Sequence, residues 1–474
     1  MFGLFGLGCT SSPSGQVDPT TDGGTLDAGP VDAGAPDAGA PDAGLDGGFD
    51  GGSEDAGPVT CASPWRGDRQ EGTAGADETL SVWVSKAGDL YTAGYWEGVL
   101  GATNIEPSGD SRAVVTRYSA DGQVLWRKRL DTAGTDTAEH VVGGREDGTV
   151  RVVGRTTGAL EGHGNGGQFD VFLLELDGEG NLLHTAQQGD ERPQHPVKVA
   201  VDARGRGVVV GHDDLFVQNR VSLDMENGFV ARFPAPGGPE GPSWRVRSQV
   251  VDNPDRLTGL ALSPDGESLF TSGFRFFADE EGPGGAFVQR HDPEDGHVLW
   301  TSVIAPTGTE ADELLLTPDH QLLLAGSSQM ALEPGVPVVG ETDVFLARLE
   351  PDSGQVQWVR QVGTRDGDRT MALSLAPNGD VLVAGDTLGS FPGFVNQGGS
   401  DLFVLRFSAD GRLLGTWQQG TPMDDHVTGL AVDPCGNAVL VGSTEGGLVA
   451  GSPPLGSRDT FLLRLPPPTL PFGR

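Results

Sequence analysis

From residue 62 onward, apolar and polar positions alternate in runs of four to seven residues, broken by Asp-Gly, Asn-Gly or Ser-Gly dipeptides. Successive side chains of a strand point to opposite faces, so such runs predict strands, and the dipeptides between them predict hairpin turns. Two kinds of hairpin alternate. One reads like "TMALSLAPNGDVLVAGD" (370–386), the other like "DVFLARLEPDSGQVQWVRQ" (343–361). No stretch carries the 3.6-residue period of an amphipathic helix.

The second hairpin returns at a fixed interval. Its first large apolar residue falls at Val114, Phe172, Phe229, Phe287, Phe345, Phe403 and Phe461, with gaps of 58, 57, 58, 58, 58 and 58. Three residues later come Arg117, Glu175, Arg232, Arg290, Arg348, Arg406 and Arg464. The following strand carries Trp126, His184, Trp244, Trp300, Trp358 and Trp417. The first hairpin ends in Gly94, Gly154, Gly211, Gly273, Gly326, Gly385 and Gly442. One supersecondary unit repeated with four strands per unit predicts a seven-bladed, all-β propeller of antiparallel blades.

The last unit stops one strand short, at the prolines after Leu465. The segment 63–94 aligns with 356–385, which puts Trp65 in the Trp column and makes the strand around residues 64–70 the outer strand of blade seven. Closure of this kind leaves no free sheet edge. Strands are named a and b (first hairpin), then c and d (second), with a nearest the axis.

The units resemble the bacterial seven-bladed β-propeller repeat family. The pieces that carry the likeness are "DVF" at Asp343, "GQVQW" at Gly354, "GTRDGD" at Gly363, "GDVLVAG" at Gly379 and "SFPG" at Ser390. The likeness spans about 62–465 and is weakest in blades two and three, where His184 replaces Trp and Glu175 replaces Arg. It implies the fold and an extracytoplasmic location, and no activity.

Charge changes the picture outside the repeats. The chain of 474 residues carries 67 Asp and Glu against 31 Lys and Arg. Such a surface repels phosphate backbones, so no nucleic-acid partner is expected. Asp recurs every fifth residue at Asp22, Asp27, Asp32, Asp37 and Asp42, within a segment, 17–57, that has ten acids and no base. That segment cannot bury enough apolar surface to offset chain entropy and is expected to be a disordered, self-repelling spacer. Before it, "MFGLFGLGC" resembles the end of a bacterial lipoprotein signal with Cys9 as the lipidated residue, although Gly6 stands where that signal has Leu and a basic start is missing. The expected order is a truncated signal over 1–9, a linker over 10–61, the propeller over 62–466 and a tail over 467–474. The Asp-Ala-Gly-Pro spacer behind a lipid-type Cys resembles surface lipoproteins of myxobacterial type.

Three sets of residues are candidates for chemistry. Acids at or before strand a, namely Asp77, Asp136, Asp190, Asp255, Asp312, Asp368 and Asp425, fall on one face near the axis. A carboxylate ring there suits Ca²⁺, which takes six to eight oxygens, while the competing reading is that each Asp binds its own turn amides. No other cofactor is expected. The b–c loops, over 95–110, 155–168, 212–226, 274–284, 327–341, 386–399 and 443–456, open on the same face. Their aromatics, among them Tyr95, Trp96, Phe216, Phe276, Phe277, Phe391 and Phe394, are candidate ligand contacts or pins for the loops themselves. Cys61 and Cys435 both fall at the a–b turn end of blade seven, which predicts a disulfide in an oxidising compartment.

Metalloprotease, nucleophile-elbow, Walker and CxxC motifs are absent, and nine His are scattered. The first functional reading is therefore a non-enzymatic binding or scaffold propeller, monomeric and lipid-anchored to the outer membrane or cell surface. Through the b–c loop face it would meet an envelope or extracellular protein or glycan. A propeller enzyme (quinoprotein-like or sugar-active) with its site at the channel mouth and a calcium-stabilised structural envelope protein stand as alternatives.

Overall fold

The computed structural model describes residues 65–98 and 111–466, except 131, 147, 218–219, 240, 248–254, 276–284 and 306. Over 215–217 and 220–226 it describes the backbone course alone. Cys9, the linker with Cys61, and the tail 467–474 lie outside the described residues.

The described residues form seven antiparallel four-stranded sheets. The a strands are Asp77–Val84, Asp136–Gly143, Gln194–Val201, Asp255–Leu262, Thr309–Leu316, Asp368–Leu375 and Asp425–Val432. The b strands are Leu90–Trp96, Val150–Thr156, Gly207–Val217, Leu269–Arg275, Leu322–Ser328, Val381–Thr387 and Ala438–Thr444. The c strands are Arg112–Tyr118, Asp170–Leu176, Arg220–Phe233, Gly285–His291, Asp343–Leu349, Asp401–Phe407 and Asp459–Leu465. The first six d strands are Val124–Arg129, Leu182–Gln188, Trp244–Arg247, Val298–Val303, Val356–Val362 and Leu413–Gln419. Blade seven takes its d strand, Arg69–Glu71, from the other end of the domain, paired with Leu462, Phe461 and Thr460. The connection expected over 212–226 as an irregular loop is instead a long hairpin, because the b and c strands of blade three run on to Val217 and Arg220.

The glycine column answers to the a strand beside it. Each a strand has a bulge, for instance between Thr370 and Ala372, where Thr370 pairs with Gly385. A Cβ on any of the seven glycines would fall 1.9–2.2 Å from an a-strand carbonyl oxygen, so only Gly fits.

The core lies between blades. Phe461 packs with Ala384, Leu402 and Val404 of blade six, and Phe345 with Phe270, Ala286 and Val288 of blade four. The Trp column reaches forward across the same boundary. Trp126, Trp244, Trp300 and Trp358 each lie on the c–d turn glycine of the next blade (Gly180, Gly296, Gly354, Gly411), whose positive φ and missing Cβ let the ring come close. Two assignments to this column are corrected. Trp417 faces Val404 while Gly415 faces Arg406, so the column position in blade six is Gly415. In blade seven the pairing of Phe461 with Gln70 puts Gly67 in the column, and Trp65 reaches the same place, over Gly122, from two residues upstream.

The Arg column was expected to pair with acids of a neighbouring blade. Arg290 does so, with Asp352. Arg117, Arg232 and Arg406 instead pair with the a–b turn acids of their own blades, Asp89, Asp202 and Asp380, and the first two donate to carbonyls of the next blade, Gly178 and Pro293. In blade two the charges are exchanged. Arg151, across from Glu175 on strand b, pairs with it at 3.1 Å and donates to the Gly205 carbonyl of blade three.

Candidate functional site

The a strands begin, and the b strands end, on one face of the ring. A cavity of about 830 Å³ opens there. Below it a second cavity, of about 470 Å³, lies among the middle stretches of the a strands. Met371 and Thr428 line both, so the two form one axial funnel.

The predicted acids divide. Asp77, Asp136, Asp255, Asp368 and Asp425 do start a strands and are buried. Four of them follow a Thr by four residues and are held by it. Asp136 accepts Thr132 N at 3.0 Å, Thr132 Oγ1 at 2.7 Å and Thr156 Oγ1 at 2.6 Å. Asp77, Asp368 and Asp425 repeat the pattern with Thr73, Thr364 and Thr421. Asp255 accepts Gly228 N at 2.8 Å. Asp190 precedes its strand, which starts at Gln194, and is tied to Arg247. Asp312 lies inside a strand that starts at Thr309 and lines the channel instead. The seven are not brought together: among the described residues the one His/Asp/Glu/Cys trio close enough for a shared ion is Asp292, Asp295 and His297, in the c–d turn of blade four.

The aromatics are mostly interior. Tyr95 and Trp96 belong to strand b of blade one rather than to a loop. Trp96 is buried beneath the Arg127 guanidinium, and the Tyr95 hydroxyl donates to Glu78 at 3.1 Å. Phe391 is 1% exposed, packed edge-on against Phe403, and Phe394 is partly buried beside it. These are pins. The side chain of Phe216 and residues Phe276 and Phe277 lie outside the described set.

What holds the loops is a residue the sequence reading passed over. Gln418, on strand d, accepts from Phe391 N at 2.9 Å and donates to Gly389 O at 3.0 Å and to Asp401 at 2.9 Å. Gln187, Gln361 and Gln70 make the same three kinds of bond in blades two, five and seven. The signal was present: in blades two and five the Gln follows the Trp column by three residues. Each b–c loop so held is clamped at its root while its outer part varies.

The lining of the mouth is unequal in charge. Glu78, Glu310, Glu341, Asp386 and Asp424 face it against Arg275 and Arg369. Arg369 and Glu310 are both well exposed, at 69% and 44%, and sit 3.7 Å apart, a distance at which an exposed pair contributes little. His426 Nδ1 lies 2.9 Å from Asp386 Oδ2, and that hydrogen bond raises the imidazole pKa. Ser400 Oγ is 3.4 Å from the same ring nitrogen and 3.1 Å from the Asp425 carbonyl. A nucleophile, base and orienting acid need the two ring nitrogens on opposite sides. Here Ser and Asp crowd one nitrogen, so the trio is no hydrolytic triad.

Deeper in, the polar groups pair with one another. Arg155 meets Glu139 at 3.0 Å, Lys198 meets Glu313, and His195 Nε2 lies 3.3 Å from Asp214 with its ring stacked on His212. Burial pushes His140 down to about 3 and Asp312 up to about 8. Ser327 Oγ donates to Asp312 at 3.1 Å. Cys435 is half-buried in the a–b turn of blade seven, its N–H on Asp433 at 2.9 Å.

No family model matches the chain. Over 167 residues it is 30% identical to the regulatory protein FlaEY of Caulobacter vibrioides, a stretch that covers 32% of this chain and 17% of that protein. The chain thus spans less than a fifth of the curated relative it matches. Among solved structures, the β-propeller domain of Cps50 (Swd1) from Myceliophteria thermophila aligns at TM-score 0.45 and 10% identity, covering 81% of this chain and 96% of that one. Chaetomium thermophilum Sqt1, solved bound to the N-terminus of the ribosomal protein L10, aligns at TM-score 0.45 and 13% identity, covering 84% and 98%. The Dos1 propeller aligns at TM-score 0.48 and 12% identity, covering 84% and 94%. Likeness at this level extends to the fold alone.

Proposed function

We propose that this protein is a non-enzymatic binding or scaffold propeller whose partner, a protein segment rich in Lys or Arg, seats over the funnel on the b–c loop face. One observation carries the reading: the excess of carboxylates around the 830 Å³ mouth, on a face built from the least repetitive loops. The repeated Phe, Trp, Arg, Gln and Asp residues are spent on holding blades together, which leaves the loop face as the surface free to differ. Complementary charge there raises encounter rates and excludes partners of the wrong sign. An envelope glycan is the alternative partner, and would bind without strong dependence on salt.

The test uses the full chain. Glu310→Lys with Asp424→Lys should weaken capture of envelope proteins at least tenfold, and raising salt from 50 to 500 mM should do the same to the unaltered chain. Capture unchanged by both would sink this reading.

The wider setting belongs to the same proposal. Membership of the seven-bladed repeat family, lipidation at Cys9, the spacer as tether, and an extracytoplasmic monomer make one consistent picture. Loss of the chain from the membrane fraction in Cys9→Ser tests the anchor. A Cys61–Cys435 disulfide would fasten the closing strand. In its favour, Asp433 binds the Cys435 amide and takes Arg464 at 3.5 Å, and Arg464 lies 4.9 Å from the ring centre of Trp65, four residues from Cys61. Peptide mapping without reductant that recovers both thiols alkylated removes the bridge. Calcium is the remaining part: the Asp residues that open the a strands already accept protein donors, so millimolar Ca²⁺ should leave the melting temperature unchanged, and an upward shift would favour the structural alternative.

A further inference from the structure

The face opposite the mouth holds a groove of about 600 Å³ at the ends of the a strands. Its floor and walls are apolar, with Val84, Leu375 and Val432 closing the a strands of blades one, six and seven, and Pro318, Pro377 and Pro434 from the a–b turns. An apolar concavity of this size is the usual form of a ligand or peptide site. We infer that its occupant is the protein's own segment 467–474, "PPTLPFGR", laid into the groove as a polyproline strip with Leu470 and Phe472 as anchors.

Three observations select this occupant. The first is position. Leu465, the last strand residue before the segment, pairs with Ala438, and Ala438 pairs with Val432 on the groove wall. Two strand spacings of about 4.8 Å separate them, about 10 Å in all. Eight residues in polyproline form extend to about 25 Å, at about 3.1 Å each, enough to cross one strand and lie along the groove. The second is composition. Pro466, Pro467, Pro468 and Pro471 lower the entropy lost on docking, as in proline-rich recognition generally, while Leu470 and Phe472 supply apolar bulk. The third is charge. Asp319 lines the groove, and Arg474 is its complement. A docked segment would cover the axial channel on the face away from the mouth, leaving the loop face as the way in.

A fluorescein-labelled peptide of residues 466–474 is titrated into two full-length proteins, the unaltered chain and Leu470→Asp/Phe472→Asp. In the altered chain the groove is vacated, so the peptide should bind it saturably, one to one, with Kd on the order of 100 μM or tighter. In the unaltered chain the tethered segment competes at an effective concentration on the order of millimolar, so binding should be at least tenfold weaker. Adding Pro377→Glu, at an exposed turn position that the fold tolerates, should abolish binding to the altered chain. No saturable binding to the altered chain, or equal affinity for both chains, overturns the inference. So does a dimer of the unaltered chain that Pro377→Glu dissociates, since a second copy would then be the occupant.

Discussion

At the scale of the residue, burial decides what a carboxylate does. Asp312 is held in the channel wall with Ser327 as its hydrogen-bond donor, and burial and the neighbouring Glu310 lift its pKa to about 8. Its ordinary value in an unfolded chain is 3.8. The folded form therefore binds the proton more tightly, so its contribution is fully present below about pH 4 and is lost as pH rises through 8. Urea midpoints of the unaltered chain should fall between pH 6 and 9. Asp312→Asn should flatten that limb and be the more stable form at pH 9; an unchanged slope would mean that the side chain is solvated. Nothing around Asp312 in the sequence distinguishes it from an acid of the a-strand column. Only the bulge that follows Ala311 turns it toward the axis.

At the scale of the element, the same boundary contact is made by different strands. Six blades carry a large or aliphatic residue opposite the Arg of strand c; blade two carries Arg151 opposite Glu175. Both are nearly buried, at 4% and 7%. Arg151→Val leaves Glu175 uncompensated and should cost roughly 3–5 kcal/mol, as should Glu175→Ala for Arg151. The double change Arg151→Val/Glu175→Arg restores the arrangement of the other blades and should recover most of that loss. A denaturation cycle over the four proteins checks it, and additive losses would show that the pair does not act as one unit. Glu175 was visible in the sequence as a departure from the column. Its compensation was not, because the partner lies 24 residues away on another strand and no column marks it.

At the scale of the whole molecule, the ring is closed by three residues of strand, Arg69–Glu71. Gln70 donates to Asp459 at 2.9 Å and to Gly446 O at 2.7 Å, and accepts from Leu448 N at 3.0 Å. Gln187 makes the same bonds in blade two, where the chain runs unbroken from strand c to strand d. Gln70→Ala and Gln187→Ala should each cost about 1–3 kcal/mol in buried hydrogen bonds. Only Gln70→Ala should also open the ring locally, seen as cleavage near residues 64–72 in limited proteolysis at least tenfold faster than in the unaltered chain. Equal protection in both variants would mean that blade seven holds its rim strand without the clasp.

The period, the seven blades, the buried Phe positions and the borrowed rim strand were all legible in the sequence, because each is a local pattern copied at constant spacing and a repeat must satisfy the same contacts every time. The paired roles of Gln with the loop roots, the shift of Trp65 and Trp417 by two residues, and the gathering of Glu78, Glu310, Asp386 and Asp424 around one opening depend on register and on strands from different blades meeting at the axis. Those relations are distances in space between residues tens to hundreds of positions apart, and only the closed ring brings them within reach of one another.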